Sequence, residues 1–250
     1  MKKVLLATAL SAALAASAQA DTLLGLYVGG QVWSNEASGT FGDSDSDSQA
    51  NFNLNDQEQG SFFAALEHPL PLIPNIKIAH TTLDTDGVTQ LSSNFDFRGE
   101  TYAVNESIDT RFDLTYTDYT LYYEVFDNDL VSFDFGITGR DFDTEIELMQ
   151  GATASTLSAS GIVPMLYAYT NIGLPFTGFN LYGEGNFLSL DDNTIYDFQV
   201  GVSYELVDNL AVDVNLTLGY RAVQLEIEDL DDLHSALDFD GVFAGAVVHF

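Results

Sequence analysis

Apolar and polar residues take turns along most of this chain. Val131, Phe133, Phe135 and Ile137 fall on one face, and Ser132, Asp134, Gly136, Thr138 and Arg140 on the other. Tyr196, Phe198, Val200, Val202 and Tyr204 alternate with Asp197, Gln199, Gly201 and Ser203. From Leu210 to Tyr220 the same pattern runs against Asp213, Asn215, Thr217 and Arg221. A period of two marks a β-strand with one greasy and one polar face. No comparably long stretch has a clean helical period. Many segments exceed the ~5–6 residues usual in soluble sheets and reach the ~9–11 that a tilted membrane-crossing strand needs.

The pattern predicts ten strands, at about 22–34, 58–68, 75–83, 111–126, 130–143, 161–170, 176–190, 194–204, 210–228 and 236–250. Connections alternate in length. Short ones fall at 69–74, 127–129, 171–175 and 205–209, and long ones at 35–57, 84–110 and 145–160. Short periplasmic turns against longer outer loops are the outer-membrane barrel pattern. The fold class that follows is all-β, a transmembrane antiparallel outer-membrane β-barrel, with both termini periplasmic. Eight or twelve strands are the other counts open, and Phe95 to Val104 also reads as extended. That segment is either a hairpin above the membrane or a source of extra strands. In the fourth strand, Phe112, Leu114 and Tyr116 share one phase, and Tyr119, Leu121, Tyr123 and Val125 the opposite one. A β-bulge near Thr117 and Asp118 would reconcile them. A periplasmic β-sandwich is the competing fold, though it tends to use shorter strands.

Composition narrows the class. The 250 residues hold 38 Asp or Glu against 7 Lys or Arg, a net charge of −31, yet 46% are hydrophobic and 18 are Phe. A disordered acidic chain lacks such apolar content, and a nucleic-acid binder needs basic patches. Without cysteine there are no disulfides, thiolate metal sites or thiol nucleophiles. Lys2 and Lys3, the apolar stretch from Val4 to Ala16, and Ala18-Gln19-Ala20 read as a secretory signal peptide over 1–20. The remainder, 21–250, reads as a single barrel with acidic extracellular loops. It keeps 38 acids against 5 bases, or −33.

The last strand alternates Val242, Ala244, Ala246, Val248 and Phe250 up to the carboxylate. This resembles the C-terminal signature of bacterial outer-membrane barrels, and Phe250 would be the signal read by the barrel assembly machinery. The whole layout resembles a family of small outer-membrane β-barrels of similar length, named for a Gly-Gly pair. Gly29-Gly30 is the matching pair here. The resemblance implies a location and a fold. It implies no assigned reaction and carries over no catalytic residue.

By alternation the lumen collects Glu67, Lys77, Asp134, Arg140, Glu184, Asp197, Asp213 and Arg221, with Glu124 near the periplasmic rim. Charges cannot face lipid cheaply. Two readings stand for the arginines: neutralising acids in a packed polar core, or lining a thin passage for small or cationic solutes. Tyr27, Trp33, Tyr167, Tyr169, Phe179, Tyr196, Tyr204, Tyr220 and Phe250 are expected to form interfacial aromatic belts. Asp43, Asp45 and Asp47 offer carboxylates for weak Ca²⁺ or Mg²⁺ binding. The loop is not an EF-hand, because the sixth position from Asp43 is Ser48 and the twelfth Leu54. With Asp84, Asp86, Asp191, Asp192, Glu226, Glu228, Asp229, Asp231 and Asp232, the acidic rim can bridge through divalent cations to lipopolysaccharide, or stay hydrated. Outer-membrane lipid, lipopolysaccharide and the assembly machinery are the expected partners; nucleic acid is not. A hydrolase needs a nucleophile and a base in register. His80 near Thr81 and Thr82, and His234 beside Ser235, match such a site poorly. There is no phosphate-binding glycine loop and no H-E-x-x-H zinc motif. Envelope protein or narrow channel, surface binding module, and lipid- or peptide-processing enzyme therefore remain the function classes.

Overall fold

The computed structural model describes residues 24–43, 50–70, 72–128, 130–191, 193–209, 211–230 and 233–250. The expected leader at 1–20, Asp45 and Asp47 of the acidic loop, and Asp192, Asp231 and Asp232 of the acidic rim lie outside them. Fifteen strands follow one another: β1 Gly25–Asp43, β2 Ala50–Asn51, β3 Gln57–Glu67, β4 Asn75–Thr81, β5 Asp84–Gln90, β6 Phe95–Phe97, β7 Glu100–Tyr102, β8 Ser107–Asp113, β9 Tyr116–Asp127, β10 Val131–Gln150, β11 Thr153–Leu174, β12 Phe179–Leu190, β13 Asn193–Val207, β14 Asp213–Leu230 and β15 Leu233–His249. Ten of them pair antiparallel in a closed ring, β1-β3-β4-β9-β10-β11-β12-β13-β14-β15, which returns to β1. The closing seam runs from Tyr27↔His249 to Asp43↔Leu233. Phe250 extends it, its N–H donating to the Leu26 carbonyl at 2.9 Å. The closed ring excludes a sandwich and settles the strand count at ten. The 85–110 region adds β5, β6, β7 and β8 outside the ring. β6 and β7 make a small hairpin, and β8 pairs with both β5 and the far half of β10.

A barrel in lipid must turn apolar side chains outward, and one end of this wall does so. Val32, Ile78, Ile137, Val200 and Leu218 are all exposed. The band stops abruptly on β10. Phe133, Phe135 and Ile137 point out, and the next outward residues beyond Gly139 are Asp141, Asp143, Glu145 and Glu147. β10 has 20 residues and β11 has 22, about twice what the hydrocarbon layer requires. The chain termini lie at the banded end, and the surplus length projects from the other, far end.

There the interior changes character. Inward residues of β10 are polar from Ser132 to Arg140, then become Phe142, Ile146 and Leu148. Ile146 and Leu148 belong with Trp33, Phe41, Phe112, Tyr116, Phe239 and Phe243 to one buried apolar cluster, and the partly buried Phe142 packs against it. Phe41 stacks on Phe52 at 4.1 Å and meets Phe97 and Phe112 edge-on at 5.3 and 4.9 Å. Such offset and T-shaped contacts suit aromatic quadrupoles. The β6–β7 hairpin closes this core from above. Tyr102 is buried there with its hydroxyl donating to Ser155 Oγ at 2.7 Å. Burial raises its ionisation range, against the opposing pull of Ser155.

This inversion corrects three expectations. No bulge occurs at Thr117 and Asp118. Glu145↔Asp113 and Phe142↔Tyr116 share one register, and Asp143 N–H reaches the Thr115 carbonyl between them. Phe112, Leu114 and Tyr116 face the interior core while Tyr119, Leu121 and Tyr123 face lipid, so the apolar residues swap sides and the backbone stays in phase. The real irregularity on this strand pair lies near the termini end, between Phe133 and Asp134, opposite Val125. Residues 145–160 are not a long loop but strand, turning at Gly151, whose φ of +62° suits glycine. The aromatic belt also splits by parity. Phe179, Tyr196, Tyr204 and Tyr220 lie outside, whereas Trp33, Tyr27, Tyr167 and Tyr169 face inward.

The band predicts where charge is tolerated. Ile137→Arg, at the lipid-facing middle, should destabilise the barrel by about 2–4 kcal/mol. Glu145→Gln, on the same strand beyond the band, should stay within about 0.5 kcal/mol. Reversible urea unfolding in lipid vesicles separates the two.

Candidate functional site

Two charged assemblies occupy the lumen, one below the apolar core and one nearer the termini. The upper assembly is a clamp built on Arg140, which is 0% exposed. Arg140 and Asp118 face each other directly across β10 and β9. Nε and Nη2 each donate to one Asp118 carboxylate oxygen at 2.7 Å, and Nη2 also reaches Asp197 Oδ2 at 2.8 Å. Arg221 enters from β14, donating to Asp197 Oδ1 and Oδ2 at 2.9 and 2.8 Å. Tyr116 donates its hydroxyl to Asp197 at 2.7 Å, and its ring lies 3.8 Å beneath the Arg140 guanidinium. Two arginines and two aspartates thus cancel, with fork-to-fork geometry and a cation–π face that makes desolvation tolerable. Asn186 ties the clamp to Thr138 and Thr120.

Below the clamp lies a cavity of about 400 Å³. Asp118, Asp197 and Arg221 form its upper limit, and Glu124, Asp127 and Glu205 mark its mouth at the termini end. Inside it Lys77 forms an ion pair with Glu184. The other Glu184 oxygen accepts from Gln199 at 2.9 Å, and Gln199 in turn accepts from Gln31 at 3.1 Å. Glu67 accepts from the Tyr122 hydroxyl at 2.8 Å. Asp134 is 6% exposed and lines the cavity with neither hydrogen bond nor ion pair among the described residues. Above the clamp the apolar core fills the barrel, so the described residues make the lumen a vestibule open at one end.

The sequence-predicted lumen residues therefore divide. Arg140, Asp197 and Arg221 meet in the clamp, and Glu67, Lys77, Asp134 and Glu184 line the vestibule. Asp213 does not join them. It sits at the mouth, bonded to His249 Nδ1 at 3.3 Å, while His249 stacks on Tyr27 at 4.1 Å. Asp118 is the clamp residue that sequence reasoning missed. The presumed bulge displaced it, although unbroken alternation from Leu114 to Tyr122 would have placed it inside. Asp43 is engaged by Arg98, whose main-chain N–H donates to its carboxylate at 2.7 Å. Among the described residues no group of three or more His, Asp or Glu is placed to hold a metal. His80 bonds Thr117 at 3.0 Å on the outer wall. Gly29, half of the Gly-Gly pair, faces inward where a Cβ would lie 2.4 Å from the Phe63 ring. Its lack of a side chain lets that ring lie across β1.

The clamp generates a stability prediction. Arg140→Met leaves Asp118 buried without its cation and should cost about 3–5 kcal/mol. Adding Asp118→Leu should recover much of that loss. Denaturant midpoints of the two variants check it.

No family model matches the chain, and no curated protein matches it in sequence. Solved structures do resemble it. Neisserial surface protein A is 15% identical, with 90% of this chain and 97% of that one covered and a TM-score of 0.35. The translocator domain of the autotransporter NalP from Neisseria meningitidis is 12% identical, with 98% and 96% covered and a TM-score of 0.45. The outer membrane protease OmpT from Escherichia coli is 10% identical, with 90% and 96% covered and a TM-score of 0.51. At such identity the last likeness speaks for the fold alone: a closed antiparallel β-barrel of the outer-membrane type.

Proposed function

We propose that this chain is an integral protein of a bacterial outer membrane that serves as a closed, lipid-embedded platform rather than as a pore. The observation that carries the reading is the filled lumen. A neutral Arg–Asp clamp spans the barrel, and the apolar core of Phe41, Phe112, Phe239 and their neighbours lies directly above it. A ten-stranded barrel is narrow enough for side chains to fill. The short turns at the banded end support periplasmic termini, and Phe250, paired into the closing seam, supports its reading as an assembly signal. Gly29 packed against Phe63 fits the family resemblance of the Gly-Gly pair.

The wall favours a second role, as a binding surface. Among the described strand residues, acid faces outward beyond the apolar band, as at Glu36, Glu58, Asp141, Asp143, Glu145 and Glu147. A collar of carboxylates at headgroup height can share Ca²⁺ or Mg²⁺ with lipopolysaccharide phosphates. Replacing Asp141, Asp143, Glu145 and Glu147 by their amides should then abolish any Mg²⁺-dependent gain in melting temperature in lipopolysaccharide bilayers. An unchanged gain removes this second role.

Planar-bilayer recording tests the platform reading. The purified barrel should insert without stepwise current in molar potassium chloride, and Arg221→Ala should stay silent, because the core above it remains. Discrete conductance steps from the unaltered protein overturn the closed lumen.

A further inference from the structure

The vestibule holds more negative charge than its own cation neutralises, and the strand register shows where the surplus sits. Inward residues form one rung around the barrel: Glu124 on β9 opposite Asp134 on β10, Asp134 opposite Tyr169 on β11, Tyr169 opposite Glu184 on β12, and Glu184 opposite Gln199 on β13. Directly opposed side chains have Cβ atoms about 4.5–5.5 Å apart, and like charges so placed destabilise a sheet. Glu184 is occupied by Lys77. Glu124 and Asp134 face each other with no ion-pair partner among the described residues, and Asp134, over nine-tenths buried, has no hydrogen-bond partner either.

Lys77 shows what satisfies this lining. Its ammonium binds Glu184 and lies 4.4 Å from the Phe63 ring and 5.8 Å from that of Tyr167. Carboxylate on one side and aromatic face on the other is the arrangement that recognises an alkylammonium. The Asp134 side of the vestibule repeats those components, with Tyr122 and Tyr169 lining the same cavity, but lacks the ammonium. Its carboxylates do not converge as a divalent metal requires, since no group of three or more acidic or imidazole ligands gathers among the described residues. The cavity, about 400 Å³, falls within the ordinary size of small-molecule sites.

We propose that the vestibule binds a small organic cation, a primary ammonium on a short alkyl chain, with its charge held between Asp134 and Glu124 and its chain along Tyr122 and Tyr169. The proposal rests on the blind lumen argued above, and the two fail separately. Bilayer current overturns the closed lumen, whereas binding is read by calorimetry on the folded, detergent-solubilised barrel. The probe is 1,4-diaminobutane, with sodium chloride at equal ionic strength as reference. Saturable heat that sodium chloride does not reproduce is expected. Asp134→Asn should weaken binding about tenfold, the worth of one charge-assisted contact, and Glu124→Gln should weaken it in the same direction. Lys77→Gln, which frees Glu184 for the diamine, should strengthen it. Heat-modifiable gel migration reports whether each variant is folded. Absence of saturable heat, or affinity unchanged in both carboxylate variants, overturns the proposal. Calcium chloride that competes with the diamine through Asp134 and binds there more tightly overturns the organic assignment in favour of an inorganic cation.

Discussion

Main-chain N–H and C=O groups inside a hydrocarbon layer have no water to bond, and the pairing of β1 with β15 is what leaves no strand edge open there. Every other feature follows from that closure. Once the ring is shut, each inward side chain must share a narrow tube with those of nine other strands. Charges driven off the lipid face have nowhere else to go. Arg140, Arg221, Asp118 and Asp197, all buried, solve the crowding by mutual neutralisation. Removing one partner would expose the remainder to the whole desolvation penalty.

Alternation in this chain means opposite things at its two ends. Near the termini the outside is hydrocarbon, so apolar residues face out and polar residues fill the vestibule. Beyond Gly139 the outside is water, so acids face out and Phe142, Ile146 and Leu148 face in. The clamp lies where these regimes meet. It is polar enough to bound a wet vestibule, and its aromatic contacts, Tyr116 under Arg140 and Trp33 near Arg221, belong to the dry core above. The same change of medium that ends the apolar band supplies the apolar side chains packed above the clamp.

Ten strands, their order and most inward charges were legible because period two survives in every membrane-crossing segment. Arg140, Asp197 and Arg221 could be placed on one face from their neighbours alone. Their partner Asp118 was missed, because the greasy residues around it change sides between Tyr116 and Tyr119. That change imitates a bulge when the apolar face is assumed always to be the lipid face. Residues 145–160 read as loop for the same reason: Asp143, Glu145 and Glu147 look solvated, and they are, on the outside of a strand. Asp213 was drawn into the lumen by correct parity, but parity carries no depth. Its pairing with His249 places it at the mouth. The inward placement of Trp33, Tyr27 and Tyr167, rather than in a belt, was equally a matter of which face each strand position takes.

The apolar core at the far end also bears on how firmly the molecule stays seated. Its residues bury themselves only where water lies outside the wall. To slide back through the bilayer, the strands would have to dissolve that core and drag Asp141, Asp143, Glu145 and Glu147 through hydrocarbon. The projecting half thus acts like the head of a rivet, too costly to draw back through the plate. Withdrawal is opposed by the hydrophobic effect working on the water side of the membrane rather than within it.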